Sequence, residues 1–414
     1  MNTSKIRKDF PALKQRIGGK RLVYFDNACS VLKPKPVIAA VNNFYSNFGS
    51  CAGNRSSHLL GWRVQELMEE AREKAAKFIG ARSEKEVVWT KNSTEGINLI
   101  AASLPLENGR NEIVLTEMEH HSNLLPFFEQ SQKRKFKIKI VPLDKDGMVN
   151  LDLLDKAVTK KTALVAATHL SNVTGLVSPM DDIVNLAHKK GALVLADDAQ
   201  YVVSHRENAA ASRIDFLVFS GHKIGGPTGI GVLYGREALL KKMPPYNAGG
   251  GMVKSVSISG GNIKVNYLPP PFKFEAGVQH NAGIAGLGFA IDYLEYLGGE
   301  KIENYLKSLV EYVLRKLSER PEIGFMADYG KHPPSSLVSF YFRDKRISLY
   351  DFNLFLNHEL RDCFIATRCG HHCAMPYHKI FNVPVSMRLS FFVYNTKQEI
   401  DIFCQALDKF LSKK

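Results

Sequence analysis

Short apolar runs rich in Val, Ile and Leu recur along the chain: EVVWT (86–90), NEIVLTE (111–117), TALVAATHL (162–170), GALVLAD (191–197), DFLVFS (215–220) and GIGVLYG (229–235). Stretches with helical spacing separate them. Continuous rather than alternating apolar runs belong to strands covered on both faces, the texture of a mostly parallel sheet wrapped in helices. After about residue 290 the pattern changes to long amphipathic stretches such as KIENYLKSLVEYVLRKLSE, with the strand-like SSLVSFYF and SMRLSFFV. That change predicts a large α/β domain over residues 20–290 and a smaller α+β domain made of 1–19 and 291–414.

Composition narrows the class. The 414 residues are 45% hydrophobic and 23% charged, ordinary for a water-soluble fold with a sizeable core. No apolar run reaches the ~18 residues of a membrane span. The opening MNTSKIRKDFPALKQRIGGKR has no apolar signal stretch, so the cytoplasm is the expected compartment. The net charge of +14 comes from scattered lysine pairs such as 189–190 and 241–242. Such scatter fits a solvated basic surface suited to acidic ligands or an acidic partner, rather than a nucleic-acid footprint. Six cysteines, at 29, 51, 363, 369, 373 and 404, are too sparse for a disulfide framework. Cys29, Cys51 and Cys404 are expected as small core residues.

In an open parallel sheet, ligands bind beyond the carboxyl ends of the strands. VVWT is followed by KNSTEG, IVLTE by MEHHSN, LVAATHL by SNVTG, LVLAD by DAQ, and FLVFS by GHKIGGPTGIG. Five successive strand ends carrying polar side chains make a site. Ser93 and Thr94 at a helix start suit a phosphate. Asp197 and Lys223, 223 − 197 = 26 residues apart, both sit at strand ends. A lysine acts as a nucleophile only when burial and neighbouring cations lower its pKa, and an aspartate facing a pyridinium nitrogen keeps such a ring protonated. Together they indicate a pyridoxal 5′-phosphate (PLP) site.

These stretches, with YFDNACSVLKP, STEGINL, EMEHHSNLLP, THLSNVTG, FSGHKIGGPTGIGVLYG, GGGMV, FEAG, RCGHHCAMP and MRLSFFVYNT, run in order from about residue 20 to 400. The chain resembles the class V aminotransferase-fold enzymes, specifically the Suf-type (group II) cysteine desulfurases and selenocysteine lyases. The resemblance implies the PLP-dependent transferase fold of type I, with a mostly parallel seven-stranded sheet. It implies conversion of L-cysteine to L-alanine, a homodimer, and a sulfur-acceptor protein serving iron–sulfur cluster assembly or another sulfur pathway. By position, Lys223 would carry the cofactor, Asp197 would meet the pyridine nitrogen, His120 would stack on the ring and Gln200 would hold its phenolate oxygen. Thr94, Ser220 and His222 would hold the phosphate, with Glu95 beside them. Arg388 and Asn172 would take the substrate carboxylate, with Asn27, Ala28 and Arg368 also on the substrate side.

In this setting RCGHHCAMP (368–376) becomes the loop of the nucleophile, Cys373. The spacing of Cys369, His371, His372 and Cys373 is too tight for a tetrahedral metal set, and a reducing compartment disfavours a Cys369–Cys373 disulfide. Arg368 and two imidazoles are expected to favour a thiolate, and either His371 or His372 to move protons. The 388 − 373 = 15 residues from Cys373 to Arg388 are the short form of the resembling enzymes. A short tether limits reach, so an acceptor is expected to bring its own cysteine to the cleft.

The chain departs from the resemblance in places. EAGVQHN (275–281) carries Val278 where a threonine is usual, leaving Gln279 or His280 to replace its contact across a dimer; Asn54 stands for a common histidine and Cys369 for a threonine. Rival readings are a selenocysteine lyase or cysteine-sulfinate desulfinase, which differ in their need for Cys373, and a non-catalytic PLP-fold binding module.

Overall fold

The computed structural model describes residues 1–52, 56–107 and 109–413; the Asn54 substitution lies outside them. The centre is a seven-stranded sheet built from β1 (Val87–Thr90), β2 (Glu112–Thr116), β3 (Lys137–Val141), β4 (Thr162–Thr168), β5 (Leu193–Asp197), β6 (Phe216–Ser220) and β7 (Gly231–Gly235). Its order is β1-β7-β6-β5-β4-β2-β3. β6, β5, β4, β2 and β3 run parallel, and β7 runs antiparallel to both its neighbours.

Every residue of β1, β2, β4, β6 and β7 is buried, which is why these runs read as continuously apolar. β3 is the edge. Its KIKIV alternates, and only Val141 is buried.

The remaining residues form a second layer of structure around a four-stranded antiparallel sheet. It runs in the order Ile323–Phe325, Leu337–Phe342, Ser386–Ser390 and Arg368–Gly370. The amphipathic helices Gly299–Ser318, Leu349–His358 and Lys397–Leu411 bury one apolar face each. Thr396 and Glu399 close the start of the last helix as a reciprocal capping box. Lys20–Tyr24, on the large-domain side of the expected boundary at residue 19, pairs parallel to Cys363–Ala366 of the smaller region. Asp26 then bridges to Ser390. The segment after Tyr24 is thereby carried to the edge where β4, β5 and β6 end.

Candidate active site

Because β1, β4, β5 and β6 point the same way, the residues that follow them gather at one edge of the sheet. The small sheet closes over that edge. Arg388 lies in its middle strand, with Arg368 as cross-strand partner on one side and Ser339 on the other. The two facing arginines straddle Asp26, whose carboxylate lies 3.3 Å from Arg388 Nη2 and 3.8 Å from Arg368 Nη1. Like charges opposite one another cost stability, and a carboxylate between them offsets it.

Between the two sheets is a cavity of about 220 Å³ lined by Ala28, Cys29, Thr94, His120, Asn172, Asp197, Gln200, Ser220, His222, Lys223, Arg368, His372, Cys373 and Arg388, among others. Asp197 is the one carboxylate among its described lining residues, against the cations Lys223, Arg368 and Arg388. That imbalance calls for an anionic occupant. At one part of the wall the helix Ser93–Ser103 begins. Here Ser93 Oγ lies 2.7 Å from Ser220 Oγ, and Thr94 Oγ1 donates to Ser122 Oγ at 2.9 Å. Clustered hydroxyls at a helix N-terminus suit a phosphate group.

Lys223, in the short turn after β6, is half-buried, and its Nζ donates to the carbonyl of Ala28. Gln200 Nε2 donates to the same oxygen at 2.8 Å. Burial, then the charge of Arg388, pulls the Lys223 ammonium down to about 8. Burial pushes Asp197 up to about 6. His120 caps the helix His121–Arg134, its Nδ1 accepting from Ser122 N at 3.0 Å. Burial and Lys223 hold its pKa near about 4, so the ring is neutral and carries its proton on Nε2. The same causes hold His222 at about 4.

The nucleophile loop is fixed by its backbone. His121 N donates to the carbonyl of Cys373 at 2.8 Å, Cys373 N donates to His371 Nδ1 at 3.1 Å, and Asn172 Nδ2 donates to the carbonyl of His372 at 2.8 Å. His372 and Cys373 both adopt left-handed backbone, φ 51° and 56°, rare for residues with a side chain. Arg388 Nη1 donates to the carbonyl of Asn172 at 2.9 Å. Arg388 Nε is a buried donor with no protein partner, which a bound carboxylate would satisfy; Asn172 Oδ1 is also buried and unpartnered but can only accept.

Two residues singled out by resemblance sit elsewhere. Glu95 does not line the cavity; its Oε2 accepts from Lys91 N at 2.6 Å and it faces a neighbouring cleft. Asn27 is buried behind the wall, its Nδ2 donating to Ser390 O at 2.6 Å and to Asn395 Oδ1 at 3.0 Å while Tyr394 Oη donates to its oxygen. It holds the loop that presents Ala28. Two expectations about sulfur need correction. Cys29 is not a core residue: it is half-buried in the cavity wall and accepts from Arg368 Nη1 at 3.1 Å. Arg368 is thus turned to Cys29 and Asp26, not to Cys373. Cys51 is also only half-buried, beside a second cleft, whereas Cys404 is in the core. No periodic signal marked Cys29, because one cysteine in an apolar context carries none.

The chain matches the model of the family "Aminotransferase class-V" over residues 23–403. It is 42% identical over 399 residues to the cysteine desulfurase of Salmonella typhimurium (strain LT2), covering 96% of this chain and 95% of that one. Among solved structures it is similar to the cysteine desulfurase CsdA of Escherichia coli, with a TM-score of 0.88 and 34% identity over 100% of this chain and 99% of that one. It is also similar to the cysteine desulfurase of Thermococcus onnurineus NA1, with a TM-score of 0.90 and 33% identity over 99% and 98% of the two chains. With a continuous match across both sheets and a thiol, a half-buried lysine and an anion-seeking cavity in register, the chain belongs to the class-V aminotransferase family, within its cysteine desulfurases.

Proposed function

We propose that this chain is a PLP-dependent cysteine desulfurase that converts L-cysteine to L-alanine and holds the sulfur as a persulfide on Cys373. The observation that carries the reading is that Cys373, Lys223 and Arg388 line one cavity. The donor set fits the cofactor: a hydroxyl cluster with His222 for the phosphate, Asp197 for the pyridine nitrogen, and a half-buried lysine whose amine is neutral in a useful fraction at neutral pH. When bound, pyridoxal phosphate supplies an electron sink conjugated to the substrate's amino group.

The chain's own residues do the rest. Arg388, whose buried Nε has no protein partner, takes the substrate carboxylate and fixes which bond faces the sink, with Asn172 beside it in the cavity wall. Lys223, once displaced from the cofactor, is the base for the α-proton. Neutral His120, its Nδ1 taken by Ser122 N, lines the cavity and would stack on the cofactor ring. The Cys373 thiolate attacks the substrate sulfur; the S–S bond forms as the carbon–sulfur bond breaks, and the electron pair stays with the carbon, which is then protonated to alanine. Glu95 and Asn27 serve this site indirectly, by bracing the phosphate helix and the Ala28 loop.

The working form in this reading is a homodimer whose sulfur passes to a protein acceptor. Support for the dimer comes from the hairpin Val253–Ser259/Asn262–Tyr267, where Val256, Ile258 and Ile263 are exposed, and from exposed Val278 nearby in sequence. The net charge of +14 favours an acidic acceptor. Among the described residues, no helix is long and apolar enough to cross a membrane. The test is release of alanine and sulfide from L-cysteine with a reductant present. Release from selenocysteine but not from cysteine would favour the lyase, and release from neither would leave a binding module.

A further inference from the structure

The corner of the cavity that would receive a carboxylate holds two arginines and, just behind them, one acid. Arg388 and Arg368 face each other across neighbouring strands, and Asp26 stands between them, outside the described cavity lining. Its place is set by the backbone. A bridge to Ser390 lays Asp26 alongside the strand that carries Arg388, and its carbonyl accepts from Cys29 N at 3.1 Å and Ser30 N at 3.3 Å.

Both arginines are oriented by this acid. Arg388 Nη2 donates to Asp26 Oδ1 at 3.3 Å while Nη1 donates to the carbonyl of Asn172, so the buried Nε edge is the one left for a ligand. Burial lowers the Arg388 guanidinium from its ordinary value, and Asp26 is the largest charge pulling it back up. Arg368 Nη1 lies 3.8 Å from Asp26 Oδ2 and 3.1 Å from Cys29 Sγ. Its side chain is 47% exposed, so that pair and the thiol are what keep it turned away from Cys373.

The charges at this corner sum to a small number. Two guanidinium groups and one carboxylate leave 2 − 1 = +1, the complement of a single carboxylate. Cysteine entering as its thiol brings only that one charge to the corner. An amino acid whose side chain is itself anionic brings a second, and both arginines are already engaged by Asp26.

We propose that Asp26 sets the charge that the site accepts: by engaging Arg388 and Arg368 together, it selects an amino acid with an uncharged side chain over one that ends in a sulfinate or sulfonate. Asp26 is a positioning residue, acting through the two arginines. The inference rests on Arg388 being the partner of the substrate carboxylate, and it deepens the desulfurase reading by naming what excludes the oxidised forms of cysteine.

Its test needs no turnover. Cofactor-loaded protein is titrated with L-alanine and with L-cysteate, which differ by a sulfonate, and binding is followed by the change in cofactor absorbance. The ratio of the two dissociation constants cancels any loss of fit at Arg388 that both ligands share. Asp26→Asn keeps the size and one accepting oxygen but drops the charge, leaving +2; the ratio should shift toward cysteate by on the order of tenfold. Arg368→Gln leaves 1 − 1 = 0 at the corner and should shift the ratio against cysteate by a similar factor. The double variant D26N/R368Q restores +1 and should return the ratio to within about threefold of the unaltered chain. Ratios in D26N and R368Q that stay within about twofold of the unaltered chain, or that move against the charge, would overturn the proposal. If the ratios move as stated while the unaltered chain releases no alanine from L-cysteine, the role of Asp26 stands and the desulfurase reading fails. A chain that cannot be loaded with the cofactor would overturn both.

Discussion

Asn172 Nδ2 donates to the carbonyl of His372 at 2.8 Å, so the loop bearing the nucleophile is held by a residue that follows β4 of the large sheet. The same residue's carbonyl accepts from Arg388. Asn172→Ala therefore strips a donor from a buried carbonyl and loosens the loop whose left-handed residues include Cys373. Leaving such a group unpaired costs about 1–3 kcal/mol, which is about fivefold to about 150-fold in rate if it falls on sulfur transfer. Single-turnover kinetics should show that loss with cofactor content unchanged. An unaltered sulfur-transfer rate would mean that Asn172 does not position the loop.

Cys373→Ala removes the thiol and nothing that the cofactor site uses. It should retain the cofactor spectrum and lose sulfur release from L-cysteine. Cys29 lines the same cavity, so the paired variant Cys29→Ala is the necessary control and should keep most of the rate. If Cys29→Ala is the silent enzyme instead, the two thiols exchange roles.

Burial lowers the Lys223 ammonium to about 8 in the cofactor-free chain. A depressed amine pKa means that the neutral, nucleophilic form is lost as pH falls through that value. Roughly a tenth of Lys223 is neutral at pH 7 and roughly half at pH 8. Cofactor incorporation into stripped protein, followed by absorbance, should therefore speed up several-fold between those two pH values and flatten above about 9. A flat profile across pH 7 to 8 would contradict the placement of Lys223 beside Arg388 in a closed site.

Arg72 makes two bonds to Glu275, Nη1 to Oε1 at 2.8 Å and Nη2 to Oε2 at 2.9 Å, and both residues are buried. Glu275 also accepts from Trp89 N at 2.9 Å, tying the EAG stretch to β1. Arg72→Met leaves a buried carboxylate without its counter-charge, which costs about 3–5 kcal/mol. Urea unfolding should show a lower midpoint of that order. A loss below about 1 kcal/mol would show that water reaches Glu275 when Arg72 is gone.

The strands that position the site were legible because burial on both faces makes continuous apolar runs, and β4 to β6 are buried almost throughout. β3 escaped the same search: as an edge strand its Lys137 and Lys139 alternate with isoleucines, and a run-based signal has nothing to find. The hairpin Val253–Ser259/Asn262–Tyr267 was missed for a like reason, since nearly all its residues are exposed. Within the site, Asp197 and Lys223 could be found because a charged side chain directly after a buried strand has few places to go. Cys29 could not be found in this way. The orientation of Arg368 was hidden as well, because Asp26 and Cys29, which it faces, come from more than three hundred positions away in sequence.

The most direct test of the central claim is one turnover. Cofactor-loaded protein is given a single equivalent of L-cysteine without reductant, free alanine is measured, and the intact protein and its peptides are weighed. The account predicts one alanine per site and one extra sulfur atom confined to the peptide that carries Cys373. Alanine formed with no sulfur on Cys373, or sulfur found on Cys29 or Cys51 in its place, would contradict it.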